Sequence, residues 1–278
     1  MNIKEIRVSE CAAFTTNPFQ VRDDGEMDLL IQSIQENGVL TPIVVRPLKE
    51  KGYEIISGHR RVHACKRAGI EKIPALIRDM ERDSAVIFMV DSNIQREGLL
   101  PSEKAFAFKM KVEALSHQGK TSVQVGQKSS RSIVAENAGE SETQVQRYIR
   151  LTNLEKPLLD LVDSGRIAFT PAVELSYLSH QEQLYLIETI ESEDCTPSLA
   201  QAIRIRKLSA EGLLDMDEIL KIMTEIKGNQ KEFIKLPSER FGRYLDKLHT
   251  PQQKEDFLLK ALSYYVKYLE RQRSRDAR

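Results

Sequence analysis

Ser57-Gly58-His59-Arg60-Arg61 is the segment whose residue types and spacing promise chemistry most directly. Tyr53-Glu54-Ile55-Ile56 ahead of it reads as a short strand; Ser57 offers an N-cap, Gly58 a flexible turn, and Arg60 and Arg61 open a helix. Backbone N–H groups at a helix start point toward an anion, and paired guanidiniums fork onto phosphate oxygens. A nucleotide phosphate suits such a cradle. A surface turn with two solvated arginines has the same residues, and so short a motif does not separate the two. His59 has three options: donor to a phosphate, reporter of pH, or neutral packed side chain. His63 and Cys65, two apart on one helix, do not share a face and are assigned no metal.

A second constellation lies in mid-chain. Arg131 to Asn137, a turn at Gly139 and Ser141 to Thr152 read as helix-turn-helix, with Ile133, Val134, Val145, Tyr148 and Ile149 facing inward. Ser141, Thr143, Gln144, Gln146, Arg147 and Arg150 then face outward, toward a groove of double-stranded DNA. Gln and Arg read base edges, and Ser and Thr near the helix start hold phosphates. Helical proteins that bind no DNA share this geometry, and Glu136, Glu140 and Glu142 lie close by.

The elements that must position these groups divide the chain. Met27 to Asn37 is helical and stops at Gly38; Pro42 to Arg46 and Tyr53 to Ile56 form a hairpin around Lys49 to Gly52; Ile73 to Arg78 is another strand. Asp83 to Met89 starts a helix, and another covers Ala105 to Leu115 behind Pro101. Further helices fill Lys156 to Ser164, Pro171 to Ser179, Gln181 to Ser192 and Ser198 to Leu208. The expected class is α+β: a small α/β domain over 1–115, a linker over 116–130, an all-α helix-turn-helix domain over 131–227, and a C-terminal helical segment over 234–278. In that last segment Thr250, Pro251 and Gln253 mark a helix start. Leu258, Leu262, Tyr265 and Leu269 form an apolar stripe that suits burial against a core or a second copy.

The 278 residues allow roughly two domains and a small module. With 41 basic and 41 acidic residues the formal net charge is zero, so any DNA site is a local patch. Cys11, Cys65 and Cys195 form no C-x-x-C pair, which speaks against a disulfide framework or zinc module and for a reducing cytoplasm. Met1 to Ile6 has no apolar stretch of signal-peptide length, and no run approaches the ~20 apolar residues of a membrane span. A soluble cytoplasmic protein is expected.

Three motifs stand in a telling order: Asn17-Pro18-Phe19-Gln20-Val21-Arg22, Ile56-Ser57-Gly58-His59-Arg60-Arg61 and Asn93-Ile94-Gln95-Arg96-Glu97, with the helix-turn-helix behind them. Over residues 1–205 the chain resembles the ParB family, most of all the ParB-like proteins of plasmids and mobile elements of Gram-positive bacteria. The resemblance implies a DNA-partition protein that binds a centromere-like site and uses CTP with Mg2+ to close as a homodimeric sliding clamp. By the same resemblance Gln20 and Arg22 line the nucleotide, and Ser57, Gly58, His59, Arg60 and Arg61 hold its triphosphate. Asn93 meets Mg2+, and Gln95, Arg96 and Glu97 shape the loop that reports the bound state. A ParA-type ATPase partner is implied too, although Met1 to Glu10 offers only Lys4 and Arg7 for it. The basic end Arg271 to Arg275 suits non-specific DNA contact or a solvated tail.

Two positions depart from the family. Glu usually stands where this chain has His59 and Ser92, and those carboxylates serve magnesium binding and CTP hydrolysis. Histidine is a poor magnesium ligand and serine no useful base near neutral pH, so at most a weak CTPase is expected, with Asp91 able to supply a charge. Two other functions use related scaffolds. A transcriptional regulator or nucleoid-occlusion protein needs only the DNA module, and a small-molecule serine kinase needs a carboxylate at the cradle, for which Glu54 and Asp91 are the candidates. Sulfiredoxin chemistry is excluded by Gly58, which stands where the reactive cysteine would be.

Overall fold

A computed structural model describes residues 3–96, 98–119, 129–225, 244–245 and 250–276. Glu97, most of the expected linker and the polar stretch 228–235 lie outside the described residues. One mixed sheet of five strands runs in the order β1-β5-β3-β4-β2, from β1 (Ile3–Arg7), β2 (Cys11–Ala12), β3 (Ile43–Pro47), β4 (Tyr53–Ser57) and β5 (Lys72–Ile77). β3 and β4 are the expected hairpin, closed by a 3.0 Å bond from the Leu48 N–H to the Gly52 carbonyl. β5 lies parallel to β3 and antiparallel to β1. The sequence reading contains neither β1 nor β2: each buries a single side chain, Ile6 and Cys11, so neither shows an apolar alternation.

Helices cover both faces of this sheet. α1 (Gly25–Asn37) and α2 (His59–Arg67) cover one, α3 (Arg82–Asp91) and α4 (Pro101–Gly119) the other. Successive residues of β4 therefore enter different cores. Ile55 packs with Met27, Ile34, Val62 and Cys65, and Ile56 with Phe14, Phe19, Met89 and Ala107. Asp24 caps α1 by accepting the Met27 N–H at 2.9 Å, and Gly38 ends it at φ 70°.

Among the described residues seven helices complete the compact unit that ends at Glu225: α5 (Ser130–Ala138), α6 (Glu142–Leu151), α7 (Lys156–Asp163), α8 (Phe169–Leu175), α9 (His180–Glu193), α10 (Leu199–Ala210) and α11 (Met216–Thr224). Their core centres on Leu151, Leu158, Leu175, Leu186, Ile205 and Ile222. The helices also differ from expectation. α4 continues through the expected linker start to Gly119; α8 begins at Phe169, with Pro171 in its first turn, and ends at Leu175; α11 is an additional helix. Its signal is an Asp215 cap followed by buried Ile219, Ile222 and Met223, legible only over nine residues. α4 packs on α3 and also on α5, α6 and α7, so it borders both layers.

The second unit begins at Ile226 and is described mainly by α12 (Pro251–Asp276). The Gln253 N–H donates to Thr250 Oγ1 at 3.2 Å and the Thr250 N–H to Gln253 Oε1 at 3.3 Å, the expected capping box. Leu262, Tyr265 and Leu269 of its stripe are exposed. No helix among the described residues is long and apolar enough to cross a membrane.

Candidate nucleotide site and DNA interface

Three separate motif segments meet around one cavity of about 450 Å³. Its walls are Asn17 and Phe19 to Val21 ahead of α1, Glu26 and Leu30 of α1, Ser57 to Arg61 at the β4–α2 junction, and Ser92, Asn93 and Arg96 after α3. A larger groove of about 720 Å³ runs past Lys49, Glu50, Lys51, Asp79 and Glu81. It holds no motif residue and mixes both charges, so the smaller cavity is the candidate site.

The cradle turns at Gly58, the N-cap of α2, with φ 105° and ψ 22°. A Cβ there would lie 2.5 Å from Cγ2 of Ile43, so glycine is required by both backbone and space. Ser57 ends β4 instead of capping α2, which corrects the sequence reading; among the described residues no side chain caps the start of that helix. Its first N–H groups are thereby left without an intrahelical or capping acceptor, which is what an anion needs.

The two arginines differ in role. Arg60 is held by Glu26 at 3.2 Å and Asp24 at 3.7 Å, partners that are themselves partly or largely exposed. Arg61 donates to the carbonyls of Pro42, at 2.9 Å, and Thr41, and its burial pushes its pKa down from the usual guanidinium range. It clamps the chain entering β3. On α3 and beyond, Asn93 donates from Nδ2 to the Met89 carbonyl at 2.8 Å and to Ser92 Oγ at 3.2 Å, leaving its Oδ1 as an acceptor. Ser92 Oγ donates to the same Met89 carbonyl at 2.9 Å.

His59 lines the cavity with Nε2 accepting the Phe14 N–H at 3.5 Å. Burial lowers its pKa to about 4, partly opposed by Glu54, so it is neutral near pH 7 and packs as an acceptor. The folded value lies below the ordinary 6.5, so the folded chain binds fewer protons than the unfolded one between those limits. Stability is therefore full above about pH 6.5 and is lost as pH falls toward 4, by at most about 3 kcal/mol from this group. Urea unfolding at pH 7.5 and 4.5 should show that loss, and His59→Gln should shrink it; an unchanged difference would refute the assignment.

Several expected site residues lie elsewhere. Arg22 faces an adjoining cavity of about 360 Å³ with Gln20, Asp24, Glu26, Arg96 and Glu103. Gln95 turns toward α5, donating to the Asn137 carbonyl at 3.1 Å. Asp91 is taken by the buried Lys111, and Glu54 by Arg46 at 2.6 Å, so neither carboxylate is available to the cradle. The sequence reading missed Glu26 and Glu103. Glu103 accepts the Gln20 N–H at 2.8 Å and the Leu100 N–H at 2.9 Å, which pins the Asn17 to Arg22 loop to the start of α4. Among the described residues no three or more His, Cys, Asp or Glu side chains are placed to hold a metal ion.

α5 and α6, the expected DNA-reading helices, join at a turn on Gly139, φ 68°, and Val134, Ala135 and Val145 pack between them with Phe108 of α4. Ser141 caps α6 by accepting the Gln144 N–H at 3.1 Å, and Thr143 is exposed. Gln146 accepts from Arg131 at 3.0 Å. The two arginines are turned sideways. Arg147 donates to Thr170 at 3.0 Å and to Gln144 at 3.3 Å, over the Phe169 ring. Arg150 donates to the Ser176 carbonyl at 3.0 Å and lies 3.7 Å over Tyr177. The unpaired carbonyls at the end of α8 draw that guanidinium, so Arg150 does not face outward as expected.

Residues 1–94 match the ParB N-terminal domain. The probable chromosome 1-partitioning protein ParB of Deinococcus radiodurans is 31% identical over 202 residues, 73% of this chain and 65% of that protein. Over residues 1–94 the chain carries a ParB N-terminal domain. It spans just under two thirds of that ParB relative. The chromosome-partitioning protein Spo0J of Thermus thermophilus is 29% identical over 231 residues, 79% of this chain and 81% of that protein. Among solved structures, the truncated Caulobacter crescentus ParB complexed with CTP-gamma-S is 23% identical with a TM-score of 0.33, covering 69% of this chain and 99% of that one.

Proposed function

We propose that this protein partitions DNA by binding a centromere-like site through α5 and α6 and a CTP in the motif-lined cavity, closing as a homodimeric clamp for plasmid or mobile-element segregation. The observation that carries the reading is the cavity itself, where segments far apart in the chain supply anion-binding groups to one space. Its residues suit a nucleoside triphosphate. The open start of α2 and Arg60 receive phosphate, Gly58 lets the backbone approach, and Arg61 holds the approach to β3 rigid. Mg2+ keeps much of its shell from water and phosphate and needs few protein ligands, so Asn93 Oδ1 is a sufficient one. Such an ion offsets phosphate charge when bound. Neutral His59 and the Ser92 hydroxyl, bonded to Met89, give no carboxylate to activate water, so turnover is slow or absent. Exposed Leu262, Tyr265 and Leu269 of α12 support pairing with a second copy, and a ParA-type ATPase remains the partner implied by the family.

The serine-kinase reading is disfavoured because Glu54 and Asp91 are held in ion pairs. Titration calorimetry with CTP, ATP and GTP in Mg2+, with and without a DNA site selected for this protein, tests the proposal. CTP alone should bind, with an affinity that DNA alters. Equal binding of ATP would point to a different switch or a kinase, and no binding would leave a plain DNA-binding regulator.

A further inference from the structure

The guanidiniums that α6 turns sideways continue into a further cation on another helix. Arg150 and Arg206 of α10 each lie 3.7 Å from the centroid of the Tyr177 ring. Two guanidiniums cannot share one face at that distance, so they sandwich the ring. Arg147, one turn back on α6, lies 5.0 Å over Phe169. Three cations are thus laid on aromatic rings along α8. Arg206 meets a carboxylate, Glu174 at 2.7 Å; Arg147 and Arg150 are met by Thr170, Gln144 and the Ser176 carbonyl, all uncharged. Among the described residues two of the three positive charges are therefore uncompensated, in a chain whose formal net charge is zero. Tyr177 is 44% exposed and its hydroxyl bonds to no described residue, and the buried Nε of Arg150 has no described partner either. A brace between α6, α8 and α10 needs the stacked planes. It needs neither surplus charge nor an open phenol, since like charges across one ring repel.

We propose that Arg150, Tyr177 and Arg206 form a second DNA contact, which grips a backbone phosphate beyond the base-reading end of α6. The inference rests on the DNA reading of α5 and α6 given above. Ser141, Thr143 and Gln144 stand at the start of α6, the end that meets base edges when a recognition helix docks. Arg150 follows about 13 Å along the axis, at ~1.5 Å per residue. The major groove is about 12 Å wide, so a helix that reads bases with its start brings its end to the bounding sugar-phosphate chain. There the phenol and the remaining N–H groups of Arg206 donate to phosphate oxygens, and Arg150 adds its charge from the other face of the ring. Such a contact positions the duplex and reads no base.

Fluorescence anisotropy with two duplexes, a site selected for this protein and a scrambled one, over about 50–200 mM salt tests the contact. Arg206→Gln should weaken both duplexes by the same factor, about 3–10-fold, and lower the slope of log affinity against log salt by about one, the signature of one lost phosphate. Arg206→Lys should restore the slope, because counterion release needs only the charge. Tyr177→Phe keeps the stack and should weaken both duplexes a few-fold with the slope unchanged. Glu174→Gln releases Arg206 and should tighten both, the opposite of what loss of a purely structural ion pair does. An unchanged slope in Arg206→Gln, or a loss confined to the selected duplex, overturns the contact. A parent that binds neither duplex overturns the DNA reading and the contact together, whereas a parent that binds and is matched by Arg206→Gln overturns the contact alone. Should Arg206→Gln not fold by circular dichroism, Glu174→Gln decides: weaker or equal binding there sinks the proposal.

Discussion

Gly58→Ala is expected to lower stability by about 3 kcal/mol and to abolish nucleotide binding. About 1 kcal/mol comes from holding alanine at a left-handed φ of 105°. The rest comes from the methyl group, which would lie 2.5 Å from Cγ2 of fully buried Ile43, and overpacking of that kind costs about 1–3 kcal/mol. A unit of this size should melt roughly 6–12 °C lower. Relief of the contact must displace α2 from the end of β4, and the anion-facing N–H groups move with it. The explanation has an internal check. Ile43→Ala removes the obstructing methyl, so the double variant should be destabilised by clearly less than the sum of the single ones. Strict additivity would show that contact with Ile43 is not the cause, and an unchanged melting temperature in Gly58→Ala would refute the strain altogether.

What the residues announced and what they concealed follow a physical division. The hairpin, α1, α2 and the α5–α6 pair were legible because each couples an apolar period to its own punctuation, Gly52, Gly38, Gly58 and Gly139 among them. β1 and β2 were not, since a strand that buries one side chain owes its existence to partners distant in sequence. In the site, the cradle and Asn93 could be named from motif order, and the cavity does gather them. The partners of the carboxylates do not follow from motif order. Asp91 and Glu54 are near the cradle in sequence but meet Lys111 and Arg46, whereas Glu26 reaches Arg60 across 34 residues of chain. Local pattern states which residues can bear charge; only the fold states which opposite charge they find. Arg150 makes the same point, since its outward position on a helical wheel is also the position nearest the end of α8.

Arg60→Ala should weaken CTP binding by roughly 10–100-fold while leaving the fold intact. A charge-assisted hydrogen bond contributes about 1.5–3 kcal/mol, and a forked guanidinium–phosphate contact belongs to that stronger class. The ion pair that Arg60 makes without ligand is weak by comparison. Glu26 is 78% exposed and 3.2 Å away, and exposed pairs contribute about 0–1 kcal/mol, so phosphate can displace it at small cost. The same contest predicts the opposite sign for its partner. Glu26→Gln removes a competing negative charge from the cavity wall and should tighten CTP binding a few-fold, more at low salt than at high. Arg60→Lys should recover only part of the loss, because an ammonium lacks the planar fork. Arg61→Ala is different in kind: it frees the carbonyls of Thr41 and Pro42 and should lower the melting temperature as well as the affinity. Calorimetry on the four variants, with thermal melts alongside, separates ligand-binding arginine from structural arginine. Equal affinity in the parent and Arg60→Ala would remove Arg60 from the site and, with it, the phosphate cradle as placed at the start of α2.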